Sequence, residues 1–321
     1  MPKLMKKEKA PRLQKPAPRN SWKHDLTHNW TVYALFAPIF VYILVLSYIP
    51  MFGIIMAFER YSVTKGYFGS PWVGWQNFID LFSDSQFLVA IRNTLCISGL
   101  SCTIGFVAPI VFALLLTTLR SKKYKRIVQT FSYMPNFVAA VIVANLLIQF
   151  LGYNGPLTLL LCDLFGLENQ NWIANNQPPI FWFILLFKGI WQGVGWGSII
   201  YVAAISTVSG DLHEAAAIDG ASRFQRITRI TLPCILPTII MMFVMQMGSL
   251  LSAGTDNLLL YMPSTYNVAD TVYTYTYRFA FSAARNYGLS AASGLFQSVI
   301  GTILLVGSNA LSRKLGSSSL F

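Results

Sequence analysis

Apolar residues along this chain gather in long blocks separated by polar and basic stretches. A run of about 20 such residues, wound as a helix at roughly 1.5 Å per residue, crosses a hydrocarbon layer about 30 Å thick. Six blocks meet that length: 32–58, 94–119, 127–151, 180–206, 233–252 and 290–311. None has the short alternating pattern of an outer-membrane strand. A chain in lipid must bond its own backbone polar groups, and a helix does this within one segment. The pattern predicts an all-α membrane protein with six transmembrane helices. Pro109 and Pro135 fall inside two of the blocks. Each lacks an N–H and is expected to kink or loosen its helix. Gly99, Ser101, Gly105, Gly193, Gly195, Gly197 and Gly301 supply the small surfaces that let membrane helices approach closely.

Composition agrees with this reading. The chain is 54% hydrophobic and only 11% charged, whereas a soluble domain carries roughly 25% charge. Its net charge of +12 does not point to nucleic acid, because the basic residues flank the apolar blocks. Most lie in the tail before residue 30, between 120 and 126, between 223 and 229, and at 313–314. Basic residues favour the cytoplasmic side, so both termini are expected in the cytoplasm. The tail reads as a loosely held basic segment and not as a cleavable signal peptide. The expected organisation is a basic tail over 1–30, a membrane domain over 31–312, a cytoplasmic connection at 209–232 and a cytoplasmic tail at 313–321. Segments 59–93, 152–179 and 253–289 are then external and rich in aromatic residues. The last is long enough to hold short helices and a docking surface.

Little in the sequence points to catalysis. Cys96, Cys102, Cys162 and Cys234 form no CxxC pair, and the three histidines have no ligand spacing. No phosphate-binding G-x-x-x-x-G-K-[ST] run occurs, since 193–198 reads GVGWGS without the lysine. No metal or cofactor is expected on this chain. Polar groups inside apolar blocks are costly and hence informative. Lys188 is the clearest, and it either faces the bundle interior or snorkels outward. Trp191, Gln192, Trp196 and Gln246 could stack and hydrogen-bond a sugar, with Asn145 and Gln149 as similar candidates. The competing explanation for all of them is helix–helix bonding and interface anchoring.

The most structured connection lies between the fourth and fifth blocks, SGDLHEAAAIDGASRFQRITRITLPCILP over 209–237. Asp211 and Glu214 have capping-box spacing. A short helix is expected to follow and to end at Gly220. A second helical piece carries Phe224, Ile227 and Ile230 on one side, and Pro233 suits the first turn of the next span. From composition alone, an amphipathic connector lying on the membrane surface would serve equally well.

This segment resembles the EAA motif of ABC importer permeases: Glu214-Ala215-Ala216, then Gly220, Ile230 and Leu232-Pro233, with Asp219 and Ala221 around the glycine. Across most of the chain, including TVYALFAPIFVYILVLSYIPMFGIIMAF and YMPNFVAAVIVANLL, it is similar to maltose-permease-like carbohydrate permeases, and most to the LplB-type oligosaccharide permeases of Gram-positive bacteria. The resemblance implies the type I ABC importer permease fold and a cytoplasmic coupling helix. Glu214, Ala215, Ala216, Asp219 and Gly220 would then meet a separate ATP-binding subunit. It further implies a second related permease chain, two ATP-binding subunits that carry ATP and Mg²⁺, and a lipid-anchored extracellular solute-binding protein that delivers an oligosaccharide. An ion-coupled secondary transporter, a channel or membrane scaffold, and an importer of a non-sugar solute are the rival readings.

Overall fold

The computed structural model describes residues 26–174, 178–252, 254, 259–260, 262–282 and 285–314. Most of the two expected tails therefore lies outside the described residues. The chain divides into two compact units, Met1–Gly53 and Ile54–Phe321. In the first, α1 (Trp30–Ile43) is apolar on every face and runs into a π turn at Leu44–Tyr48. A 3-10 stretch, Ile49–Phe58, follows. Pro50 stands at this change of winding because it has no N–H to continue the α-helical ladder.

After a single helical turn at Gly66–Gly69, the second unit carries a short amphipathic helix, α2 (Gln76–Ser83). Asp84 ends it and caps the next by accepting the Gln86 N–H at 2.9 Å. That next helix, α3, is a candidate span over Ser85–Thr118, interrupted by a π turn at Ser101–Gly105. Ser121 caps α4 (Lys122–Tyr133), whose basic face carries Lys122, Lys123, Lys125 and Arg126. A 3-10 turn, Met134–Phe137, then leads into α5 (Ala140–Phe150) and α6 (Pro156–Phe165). The long α7 (Pro178–Ser206) packs along α3. It is followed by the short α8 (Gly210–Ile218) and by α9, which runs over Arg223–Gly248. After α9 come two short helices, α10 (Tyr266–Ala269) and α11 (Val272–Phe281), and then α12 (Tyr287–Lys314).

The architecture is all-α. Among the described residues, five helices are long and apolar enough to cross a membrane, and a sixth crossing exists only if a bent pair counts as one. In that pair the span expected over 127–151 is bent well beyond the kink or loosening expected at Pro135. The segments Lys122–Phe137 and Ala140–Phe150 meet at 92°. Pro135 removes a ladder bond just before the break, and α4 is too basic to enter hydrocarbon along its whole length. Pro109, in contrast, is carried inside α3.

Pro233 stands in the first turn of the α-helical stretch Leu232–Gly248, as expected, although the helical run of α9 already starts at Arg223. A π turn at Ile227–Thr231 lies just ahead of the proline and changes the hydrogen-bond register there.

Among the described residues, buried side chains form three clusters. One joins α2, α3, α11 and α12 through Leu81, Phe87, Tyr275 and Ala292. A second joins α3, α5, α7 and α10 through Ile97, Ala144, Phe181 and Val268. The third lies between α3 and α7 at Ile110, Ala113 and Tyr201.

Candidate functional site

The connection between α7 and α9 is a helical elbow with both of its corners closed by hydrogen bonds. The Ser209 hydroxyl accepts the Asp211 N–H at 3.2 Å and caps α8. Ser209 therefore replaces the expected Asp211–Glu214 capping box, and Asp211 lies in the first turn, where its charge complements the helix dipole. At the other end, the Ala221 N–H donates to the Ala216 carbonyl at 2.8 Å, and the Gly220 N–H to that of Ala217 at 3.1 Å. This pair of bonds is a Schellman motif, which requires a left-handed residue at the corner. Gly220 has φ +78° and supplies it. Ser222 and Gln225 then form a reciprocal capping box that starts α9.

The spacing of the motif thus has a direct physical meaning. The glycine stands four residues past Ala216, because that carbonyl closes the turn. Glu214 and Ala215 are exposed on α8, and Asp219 at its end is exposed as well. Large apolar side chains crown the elbow: Ile218 is 88% exposed and Phe224 74%. Apolar groups so far exposed beside a rigid turn fit a surface covered by a partner.

The spans enclose a cavity of about 420 Å³ between α3, α7 and the end of α9. Lys188 and Gln246 line it, together with Ser101, Gly105 and Ser252. Lys188 is 5% exposed, so of its two expected placements it takes the bundle interior. The Gln246 Nε2 points to the Ser101 carbonyl at 3.4 Å, a carbonyl in the α3 π turn.

The other expected sugar contacts are not gathered at this cavity. The Gln192 Nε2 donates to the Val138 carbonyl at 3.0 Å, at the bend between α4 and α5. Trp196 packs edge-on against Phe137 with ring centroids 5.6 Å apart. Trp191, Asn145 and Gln149 are exposed on the helix surfaces.

A polar platform, not foreseen from the sequence, stands at the opposite end of the bundle from α8. Asp270 pairs with Arg278 at 2.8 Å and accepts from the Thr274 hydroxyl at 2.7 Å. Burial pushes the Asp270 carboxyl above its ordinary range, against the opposing pull of Thr274 and Arg278. Asn93 donates to the Asp270 carbonyl at 2.9 Å, and the Val272 N–H donates to Thr94 at 2.9 Å. The Tyr275 hydroxyl donates to Asp84 at 2.6 Å, and burial with that contact pushes its pKa up. The available signal was Thr271 three residues before Thr274, a capping pair ahead of an aromatic helix. Replacing Asp270 with Ala leaves the Arg278 guanidinium without its carboxylate and is expected to destabilise the protein by about 3 kcal/mol. Thermal unfolding of the purified variant in detergent measures this, and an unchanged melting temperature counts against the platform as a structural support.

Residues 105–317, well over half of the chain, match the family model described as binding-protein-dependent transport system inner membrane component. The chain belongs to that family. Protein LplB of Bacillus subtilis (strain 168) is 37% identical over 306 residues, covering 94% of each chain. The polygalacturonan/rhamnogalacturonan transport system permease protein YteP of the same strain is 35% identical over 99% of this chain and 96% of its own. Among solved structures, a chain of a bacterial alginate ABC transporter in complex with alginate pentasaccharide-bound periplasmic protein superposes with a TM-score of 0.84. It is 38% identical and covers 93% of this chain and 99% of its own. The fold of this family member is accordingly the permease fold of ABC importers.

Proposed function

We propose that the chain is a non-catalytic permease subunit of an ATP-driven, binding-protein-dependent importer of oligosaccharides. The observation that carries this reading is the closed elbow of α8, exposed and apolar at its tip, on a family member without a phosphate-binding loop. Its rigidity lets it carry a displacement that a flexible loop would absorb. Glu214, Ala215, Ala216, Asp219 and Gly220 form the coupling contact with an ATP-binding subunit. Two such subunits hold ATP and Mg²⁺, and a second, related permease completes the pathway. The elbow and both termini face the cytoplasm, in line with the basic residues of α4, α9 and the C-terminal end of α12. The opposite platform meets an extracellular, lipid-anchored solute-binding protein. Closure of the ATP-binding subunits draws the elbows together and opens the pathway outward.

Two of the similar proteins are named for polysaccharides, one for the acidic polysaccharide alginate and YteP for polygalacturonan/rhamnogalacturonan. A buried lysine on the cavity wall fits a uronate carboxylate, so acidic oligosaccharides are the first substrates to try. The test is reconstitution with the neighbouring subunits in proteoliposomes. Binding-protein-stimulated ATP hydrolysis is then measured across neutral and acidic oligosaccharides. Lys188→Met is expected to lower uptake of the preferred acidic sugar about tenfold while the ATP-binding subunits still co-purify. Uptake driven by a proton gradient without nucleotide would refute the importer reading.

A further inference from the structure

At the elbow end of the bundle lies a second cavity, of about 560 Å³, whose character differs from the first. Its walls come from the ends of α3 and α7, from α8 and from the start of α9. Arg120, Arg223 and Arg226 line it, as does His213 of the elbow helix. Thr117, Ser206 and apolar side chains such as Ile205 and Ile227 share the lining, and among the described residues no carboxylate is part of it. The Arg226 Nε is fully enclosed and has no hydrogen-bond acceptor. Enclosing a charged donor without a partner is costly, and three guanidinium groups around one cavity repel each other. An anion with several acceptor oxygens lowers both costs when it enters.

We propose that this cavity binds a phosphate group. Guanidinium forks match phosphate oxygens in pairs. Three guanidinium groups lining one cavity offer more paired donors than a single carboxylate can accept, which favours a phosphate. Thr117 and Thr118 end the apolar α3, and Ser206 ends the apolar α7. The cavity thus sits where hydrocarbon gives way to water, at the level of lipid headgroup phosphates. The bound group joins α8, through His213, to the two spans and to α9. It stiffens the elbow against the bundle. The proposal rests on the cavity itself, and the binding holds whether or not α8 meets an ATP-binding subunit.

The test uses the full chain, purified with the subunits it retains. It is placed in nanodiscs of phosphatidylcholine alone or of phosphatidylcholine with phosphatidylglycerol, and native mass spectrometry counts retained phosphatidylglycerol. In parallel, inorganic phosphate is titrated onto detergent-solubilised, delipidated protein. Retention in the first arm identifies a lipid phosphate, and saturable binding in the second alone identifies a soluble one. Arg226→Gln is expected to weaken binding about tenfold. Arg226→Lys keeps the charge but loses the fork, and so falls between. Arg229→Gln, the same charge change on α9 outside the cavity lining, is expected to leave binding intact. Normal helicity and elution of the Arg226 variants separate loss of binding from misfolding. Equal retention by Arg226→Gln and Arg229→Gln overturns the proposal. So does a loss of ATP-binding subunits from Arg226→Gln with phosphate binding unchanged, which would make the cavity a protein contact.

Discussion

Replacing Gly195 with Val is expected to destabilise the bundle by about 3 kcal/mol or more. A Cβ at this position on α7 would fall on the carbonyl oxygen and carbon of Ser132 in α4. The obstacle is backbone, so no rotamer change relieves it, and the two helices would have to part. Even alanine carries the offending atom. Gly193, two residues earlier on α7, makes a sharp comparison: a Cβ there meets nothing within 4 Å. Gly193→Ala should therefore leave stability unchanged or slightly raised, since alanine favours helix. Thermal melts and monodisperse yield in detergent distinguish the two. If Gly195→Ala melts with the native protein, the close approach of α4 and α7 is not required for the fold.

Gly220→Val is expected to give a folded but uncoupled permease. No neighbouring atom lies within 4 Å of a Cβ at Gly220, so packing of the bundle is not disturbed. The penalty is conformational, because a β-branched residue at φ +78° is disfavoured by roughly 1–2 kcal/mol. That is comparable with the two hydrogen bonds that close the corner, so the end of α8 unwinds. Co-purification of ATP-binding subunits should fall at least about tenfold while the melting temperature holds. Gly220→Asn provides the decisive companion, because asparagine tolerates the left-handed region. It should retain most of the transport that valine loses. Equal loss in both variants would shift the explanation from backbone conformation to contact area at the interface.

Much of the architecture is readable from hydrophobic runs. The block at 180–206 corresponds to α7 at Pro178–Ser206, because the proline run before it and the Ser-Gly after it punctuate a uniform apolar stretch. Helices extend past the other blocks where polar residues still fit a helix, as in α3, which starts at Ser85 under the Asp84 cap. Periodicity cannot announce a 92° bend when both arms remain helical. Pro135 marked the place, but whether the chain kinks or breaks there depends on partners from other helices, here Gln192 of α7, which donates to the Val138 carbonyl. The elbow was legible because its corner depends on local chemistry, Gly220 after Ala216. The surroundings of Trp191, Gln192 and Trp196 were not, because they depend on which helix faces α7. The Asp270 platform joins residues far apart in the chain, and nothing local in Asn93 or Arg278 signals their meeting.

The break between α4 and α5 is held by α7, both ahead of the corner and at it. Ser132 abuts Gly195 before it, Phe137 meets Trp196 and Val138 accepts from Gln192 at the corner itself. A hinge needs slack, and this corner has none. When the transporter alternates between states, α4 and α7 should swing together as one bracket. Flexing falls instead to the π turns of α3 and α9, where the ladder register is already irregular. Amides around Ile142 and Val143 should therefore exchange with deuterium slowly throughout the cycle, while those near Thr103 and Thr228 quicken as the pathway opens.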